Sequence, residues 1–280
     1  MEPPPRLPTA AEMGRSVLRL YRERPVAVVG SALLVQLLSL PVALPAGLAV
    51  SEAEVIHRPA VVAAIREVLG SNVPFGDLAA TALLLATDGV FRAYVPALGI
   101  AVGTALATMV VIAAVVRRTR PNPVATVALV AAGAIVVLAA VVAYRAIWYA
   151  ALDRAGLDET AFLALATLGL VLALVSLVLG TWLSVRWSFV PVAIGRGSGL
   201  RSALDESRTL VRGRWWGLSG LLLLAILAAA LAFAPIGLTL GWLPAGHPGG
   251  IAAAHMAQGL VAPILPAAVT LIHERLRAGG

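Results

Sequence analysis

Six stretches of this chain, residues 25–50, 94–116, 124–149, 161–183, 216–241 and 251–272, hold a single charged side chain between them, Arg145. Each exceeds the length of about 20 residues that a helix rising 1.5 Å per residue needs to cross a hydrocarbon layer. In such a layer no water satisfies a backbone N–H or C=O, so each run must close its own hydrogen bonds as a helix. The fold class expected is therefore all-α, a polytopic transmembrane helical bundle of about six spans. With 60% hydrophobic and 12% charged residues, the bilayer is the main solvent of this polymer. A cleaved signal peptide competes for residues 25–50, but the long charged lead before that run and the run's own length argue against cleavage.

Orientation follows from the basic residues. All 21 are arginine, and with both termini in the cytoplasm every one except Arg58, Arg66, Arg92, Arg145 and Arg154 falls on the inner side. That asymmetry is the positive-inside pattern and requires an even number of spans. Tyr94, Trp148, Tyr149 and Trp242 then mark the outer boundary, and Tyr21, Trp187, Trp215 and Trp216 the inner one. A net charge of +7 raises nucleic acid as a partner. The arginines sit in short clusters beside apolar runs, however, so no nucleic-acid partner is expected.

Two amphipathic segments precede spans. Thr9 and Glu12 form a capping-box pattern, opening a helix over 10–24 with Glu12, Arg15, Arg19 and Arg22 opposite Met13, Val17, Leu20 and Tyr21. In residues 200–214, Arg201, Asp205, Arg208 and Arg212 fall on one stripe, with Leu200, Ala203, Leu204, Ser207 and Val211 on the other side. Both are expected to lie flat on the inner membrane face, the apolar side toward the acyl chains. An ordinary helix packed on protein is the alternative. Arg201, Arg208, Arg212 and Arg214, with Arg22 and Arg24, become candidate contacts for anionic lipid head groups.

One integral membrane domain, residues 1–280, results. Its parts are a cytoplasmic tail and amphipathic helix at 1–24, an extracytoplasmic loop with short helices at 51–92, and the cytoplasmic amphipathic helix at 195–215. Within the loop, a helix is expected at 59–69, and 78–87 as an interfacial or re-entrant segment. Pro41 and Pro45 should bend the first span, and Pro263 and Pro266 should interrupt the sixth. An echo at an offset of 190 residues pairs Leu20, Arg22, Arg24, Gly30, Pro45 and Gly47 with Leu210, Arg212, Arg214, Gly220, Pro235 and Gly237. Both copies run surface helix, arginine pair, span and proline, the pattern of a parallel repeat.

Ala203, Leu204, Ser207, Leu210, Gly213 and Trp216, preceded by Trp187, Phe189 and Pro191, resemble the signature segment of the glycerophosphoryl diester phosphodiesterase membrane domain family. The tail from Ile272 to Arg277 resembles that family's closing basic stretch, while Asp205 and Glu206 stand where basic residues are more usual. The resemblance implies a polytopic bacterial membrane protein, here without the catalytic domain to which some members are fused. It carries no agreed chemistry.

Phosphodiester hydrolysis needs an acid and a base, usually beside a carboxylate-held metal. His57-Arg58 resembles the start of a His-Arg-Gly motif, but Pro59 replaces the glycine. Glu52, Glu54 and His57 read as a solvated cluster more readily than as a metal site. With no phosphate loop, nucleophile elbow or paired-His zinc motif, no catalytic residue, metal or cofactor is expected. Gln36, His255 and Gln258 are the polar residues nearest the bilayer interior, and Gly99, Gly103, Gly237 and Gly241 allow close helix contact. The leading expectation is a non-enzymatic scaffold or accessory protein of a bacterial inner membrane, serving lipid handling or transport. Its partners would be anionic lipids, and a membrane protein or a second copy of the chain. A small transporter with a path between the repeats is the alternative, and a membrane-embedded lipid phosphodiesterase comes third.

Overall fold

The computed structural model describes residues 7–69, 88–155, 171, 175, 178–240 and 246–278. Its helices are α1 (Ala10–Glu23), α2 (Pro25–Leu69), α3 (Asp88–Arg117), α4 (Pro123–Ala155), α5 (Val190–Gly195), α6 (Leu200–Val211), α7 (Trp215–Leu240), α8 (Pro248–Val261) and α9 (Ile264–Ala278), with residues 178–186 also helical. Six helical segments are long and apolar enough to span a membrane: Pro25–Pro59, Phe91–Arg117, Pro123–Ala143, Val178–Gly195, Trp215–Ile236 and Pro248–Ala278. The all-α bundle expected from the apolar runs is what forms. Around it stands an outward-facing apolar belt, with Val26, Leu38, Val124, Val127, Leu231 and Leu238 all largely exposed. So much contiguous exposed hydrocarbon suits lipid as the surrounding solvent.

The capping box at the start of α1 is present. Thr9 Oγ1 accepts from the Glu12 N–H at 3.2 Å, and the Glu12 carboxylate accepts from the Thr9 N–H at 2.9 Å. That backbone bond, aided by Arg275, holds the Glu12 carboxyl below its ordinary range. Thr9→Ala is expected to cost about 1 kcal/mol and to raise amide exchange over the first turn of α1, measured by hydrogen exchange in detergent.

Three boundaries differ from the sequence expectation. The first helix does not stop with its apolar run near residue 50, nor does a loop begin at 51: α2 continues through Pro41, Pro45 and Pro59 to Leu69. Packing carries it on, because Ala53 is buried with Ala93 against Val50 and Tyr94, and the Tyr94 hydroxyl donates to the Glu54 carboxylate. The separate helix at 59–69 is thus the end of α2, and of the expected loop 51–92 the residues 70–87, including 78–87, lie outside the described residues. Most of the fourth span, from 161, lies outside them as well. The helix at 178–186 ends in a turn at 187–189, after which α5 begins with Pro191 in its first turn. The sixth span breaks at Pro263, as expected, and α9 runs past residue 272 to Ala278.

Helix α3 sits at the centre, packed against α2, α4, α5 and α9. The arginine-bearing segments gather at one end of the bundle. Arg117 Nε meets Glu274 at 2.7 Å, Arg275 Nη1 meets Glu12 at 3.5 Å, and Arg24 Nη1 donates to the Val116 carbonyl at 3.4 Å. Thr119 Oγ1 donates to the Gly195 carbonyl at 2.8 Å, and the Asn122 N–H to that of Ile194. These bonds close the free carbonyls at the ends of α3 and α5. The main core lies at this end too, formed by Met13, Val17, Phe189, Val211, Leu218 and Ile272 with their neighbours.

The 190-residue offset is written into the helices themselves. α1 and α6 begin at Ala10 and Leu200, and α2 and α7 at Pro25 and Trp215. Buried positions follow the same offset: Met13 with Ala203, Val17 with Ser207, and Val28 with Leu218. Each copy is a short helix docked on the bundle through equivalent residues, followed directly by a span.

Candidate functional site

The docking of α6 corrects one expectation and creates a site. Its apolar side does not face acyl chains. Ala203, Ser207 and Val211 are buried against protein, Ala203 among Val190, Ala193 and Ile194, and Val211 in the main core. Periodicity locates an apolar face without saying what covers it, and here α5 covers it. The same holds for α1, whose Met13 and Val17 enter the main core. Ser207 supplies the fastening. Its Oγ donates to the Arg186 carbonyl at 2.8 Å and accepts from the Phe189 N–H at 3.3 Å.

That fastening brings Arg186, at the end of the 178–186 helix, beside the arginines of α6. Arg186, Arg208, Arg212, Trp182, Val211, Gly213 and Trp215 line one pocket of about 340 Å³. Three guanidinium side chains from two segments share it, and no carboxylate lines it. Asp205 lies just outside, 3.7 Å from Arg208. The Arg186 guanidinium rests 4.7 Å from the centre of the Trp182 ring, which orients its planar donor fork. Trp215 contributes an indole whose Nε1 is buried without a hydrogen-bond partner. Gly213, at φ +76°, makes the reversal between α6 and α7, a left-handed conformation that a Cβ would strain. Trp216 stacks edge-on to Trp215 at 4.6 Å and is itself 82% exposed. Such an exposed indole suits the interfacial depth of a bilayer.

Of the six arginines singled out from sequence, the structure brings Arg208 and Arg212 into this pocket. Arg201 is exposed on α6 outside it, Arg22 is exposed on α1, Arg24 bonds to α3, and Arg214 is half-buried at the start of α7. Arg186 was not singled out. Its sequence signal is the spacing of Trp182 and Arg186, one helical turn apart on the same face.

Behind the pocket lies a second polar cluster. Glu206, the residue noted as out of place in a basic segment, receives His273 Nε2 at 3.0 Å, Arg196 Nη1 at 3.4 Å and Arg277 Nη1 at 3.8 Å. His273 is fully buried, edge-on to Phe189 at 5.4 Å. A carboxylate ringed by cations, with an imidazole beneath it, is a structural tie between α6, α9 and the 190s segment. At the opposite end of the bundle His57 sits on α2, and Glu54 on the same helix is engaged by Tyr94. Among the described residues, no three His, Cys, Asp or Glu side chains converge as metal ligands.

No protein-family model, no curated protein and no solved structure matches this chain.

Proposed function

We propose that this chain is a non-enzymatic inner-membrane protein of bacteria, with both termini in the cytoplasm, that holds the phosphate of anionic lipids at the cytoplasmic leaflet. In this role it serves as a scaffold or accessory to lipid handling. The observation that carries the reading is the convergence of Arg186, Arg208 and Arg212 around one carboxylate-free pocket, which Trp182 and Trp215 also line. Guanidinium forks match phosphate oxygens two at a time. Arg22 and Arg201 lie exposed on the same end of the bundle, where each basic side chain near an anionic surface contributes about 1 kcal/mol. The resemblance of residues 187–216 to phosphodiesterase membrane domains fits a polytopic protein without chemistry of its own.

A transport path between the repeats has less support. Of the prolines that would mark it, Pro45 and Pro235 lie inside continuous helices, while the sixth span is interrupted at Pro263.

Native mass spectrometry of the whole protein in mild detergent, titrated with phosphatidylglycerol, phosphatidylcholine or inorganic phosphate, tests the reading. Phosphatidylglycerol should be retained in preference to phosphatidylcholine, with inorganic phosphate competing only weakly. R186Q/R208Q/R212Q should weaken phosphatidylglycerol retention by about 10- to 100-fold, while R22Q/R201Q should cost under about threefold. Equal retention by the triple variant and the native chain overturns the assignment.

A further inference from the structure

A second cavity, of about 690 Å³, lies between α2, α3, α7, α8 and the start of α9, open on one side. It falls within the range of roughly 300–1,000 Å³ typical of small-molecule sites. Its walls are mostly small: Ala43, Ala46, Ala101, Ala105, Ala229 and Ala230 leave the room that larger side chains would fill. No charged residue lines it. The polar groups that do are Gln36, Thr104, Thr108, His255 and Gln258. Gln36 stands 11 residues into α2, about 17 Å along the helix axis, and so near the middle of a hydrocarbon layer of about 30 Å.

Hydrogen-bond accounting shows what this cavity lacks. Ser39 Oγ donates to the Gln36 carbonyl at 3.0 Å, so its proton is used. Ser39 Oγ and His255 Nε2 lie 2.9 Å apart, a contact that ties α2 to α8. Gln36 is 3% exposed, and its Oε1 is buried without a partner. One acceptor, Gln36 Oε1, thus belongs to a side chain lining an apolar cavity, with no protein donor matched to it. A buried acceptor left unpaired is costly, and the cost is removed by a ligand that brings a proton. Charge is excluded by the absence of a counter-ion at this depth.

We infer that this cavity binds an uncharged, hydroxyl-bearing lipid, its O–H directed at Gln36 Oε1 and its hydrocarbon tail among the alanines. Neutral diglycerides and long-chain alcohols share this chemistry. The site is independent of the arginine pocket, which offers donors to an anion, whereas this one offers an acceptor to a hydroxyl.

The probes are radiolabelled oleyl alcohol and 1,2-dioleoylglycerol, each beside its methyl ether, added to the purified full chain in mild detergent free of phospholipid. Saturable binding of about one molecule per chain is expected, with the free alcohol held at least about tenfold more tightly than its ether. The tighter of the two alcohols identifies the lipid source. Q36L should reduce the alcohol-to-ether ratio to under about threefold. A101L/A229L, which fills the chamber, should abolish saturable uptake, with helicity by circular dichroism unchanged. R186Q/R208Q/R212Q should leave alcohol binding as it is, so failure here and failure of the phosphate reading are separable. If the unaltered protein holds alcohol and ether equally, or takes up neither, the inference is overturned without reference to any variant.

Discussion

Replacing Gly195 with leucine is expected to detach α5 from α3 and abolish recovery of folded protein. A Cβ built on Gly195 would lie 2.6 Å from the Val110 carbonyl oxygen, 2.8 Å from the Ala113 Cβ and 3.1 Å from the Ala114 nitrogen. Two of those three atoms are backbone inside α3 and have no rotamer in which to retreat. Even alanine must open the contact, at a cost of about 1–3 kcal/mol, and leucine adds three further carbons to the same closed space. The damage would spread, because α5 carries the carbonyls that receive Thr119 and Asn122 and forms the bed on which α6 lies. Thermal unfolding in detergent, followed by size-exclusion chromatography, should show a lower midpoint for G195A and aggregated material for G195L. A native-like elution profile for the leucine variant would refute the close-packing account.

Glu206→Ala should be the next most damaging change, at about 2–4 kcal/mol. It strips the shared acceptor from His273, which is fully buried, and from Arg196 and Arg277. Glu206 itself is 25% exposed, so water reaches part of the cluster and the loss falls below that of a wholly enclosed pair. Glu206→Gln keeps an oxygen in place for His273 Nε2 and should cost only about 1 kcal/mol. The two variants compared in urea-dependent unfolding separate a hydrogen-bond role from simple space filling. Equal losses for alanine and glutamine would remove the hydrogen bond from the account.

The spans were legible because long uncharged runs admit few folds: in lipid the backbone must bond to itself, whatever the side chains do. The capping box was legible for a similar reason, since Thr9 and Glu12 act across three residues and need no tertiary context. The 190-residue echo also survived, down to the starting residues of both helix pairs. What the sequence left open is what covers each amphipathic face. Ala203, Ser207 and Val211 mark the inward side of α6 as expected, but protein occupies it and not lipid, because α5 returns beneath it after the turn at 187–189. The first helix outruns its apolar stretch, which ends at Val50 before Glu52 and Glu54, because packing of Ala53 on Ala93 carries it onward. Arg186 and the tie between Glu206 and His273 were hidden for a different reason. Their partners lie 21 to 67 residues away in sequence, and no local spacing reveals a contact made by the bundle.

The unbroken course of α2 has a mechanical result. Forty-five residues make a rod of about 67 Å, whereas a bilayer with its head groups is about 40–45 Å thick. Some 20 Å or more must therefore stand clear of the lipid on the side away from the arginines. With no turn between the immersed and emergent parts, a swing of five degrees at the base moves the tip by about 6 Å. The same rod carries Gln36 in the wall of the cavity, and Ser39 beside it in contact with His255. Small adjustments around an occupant there would arrive, enlarged, at the far tip of the lever.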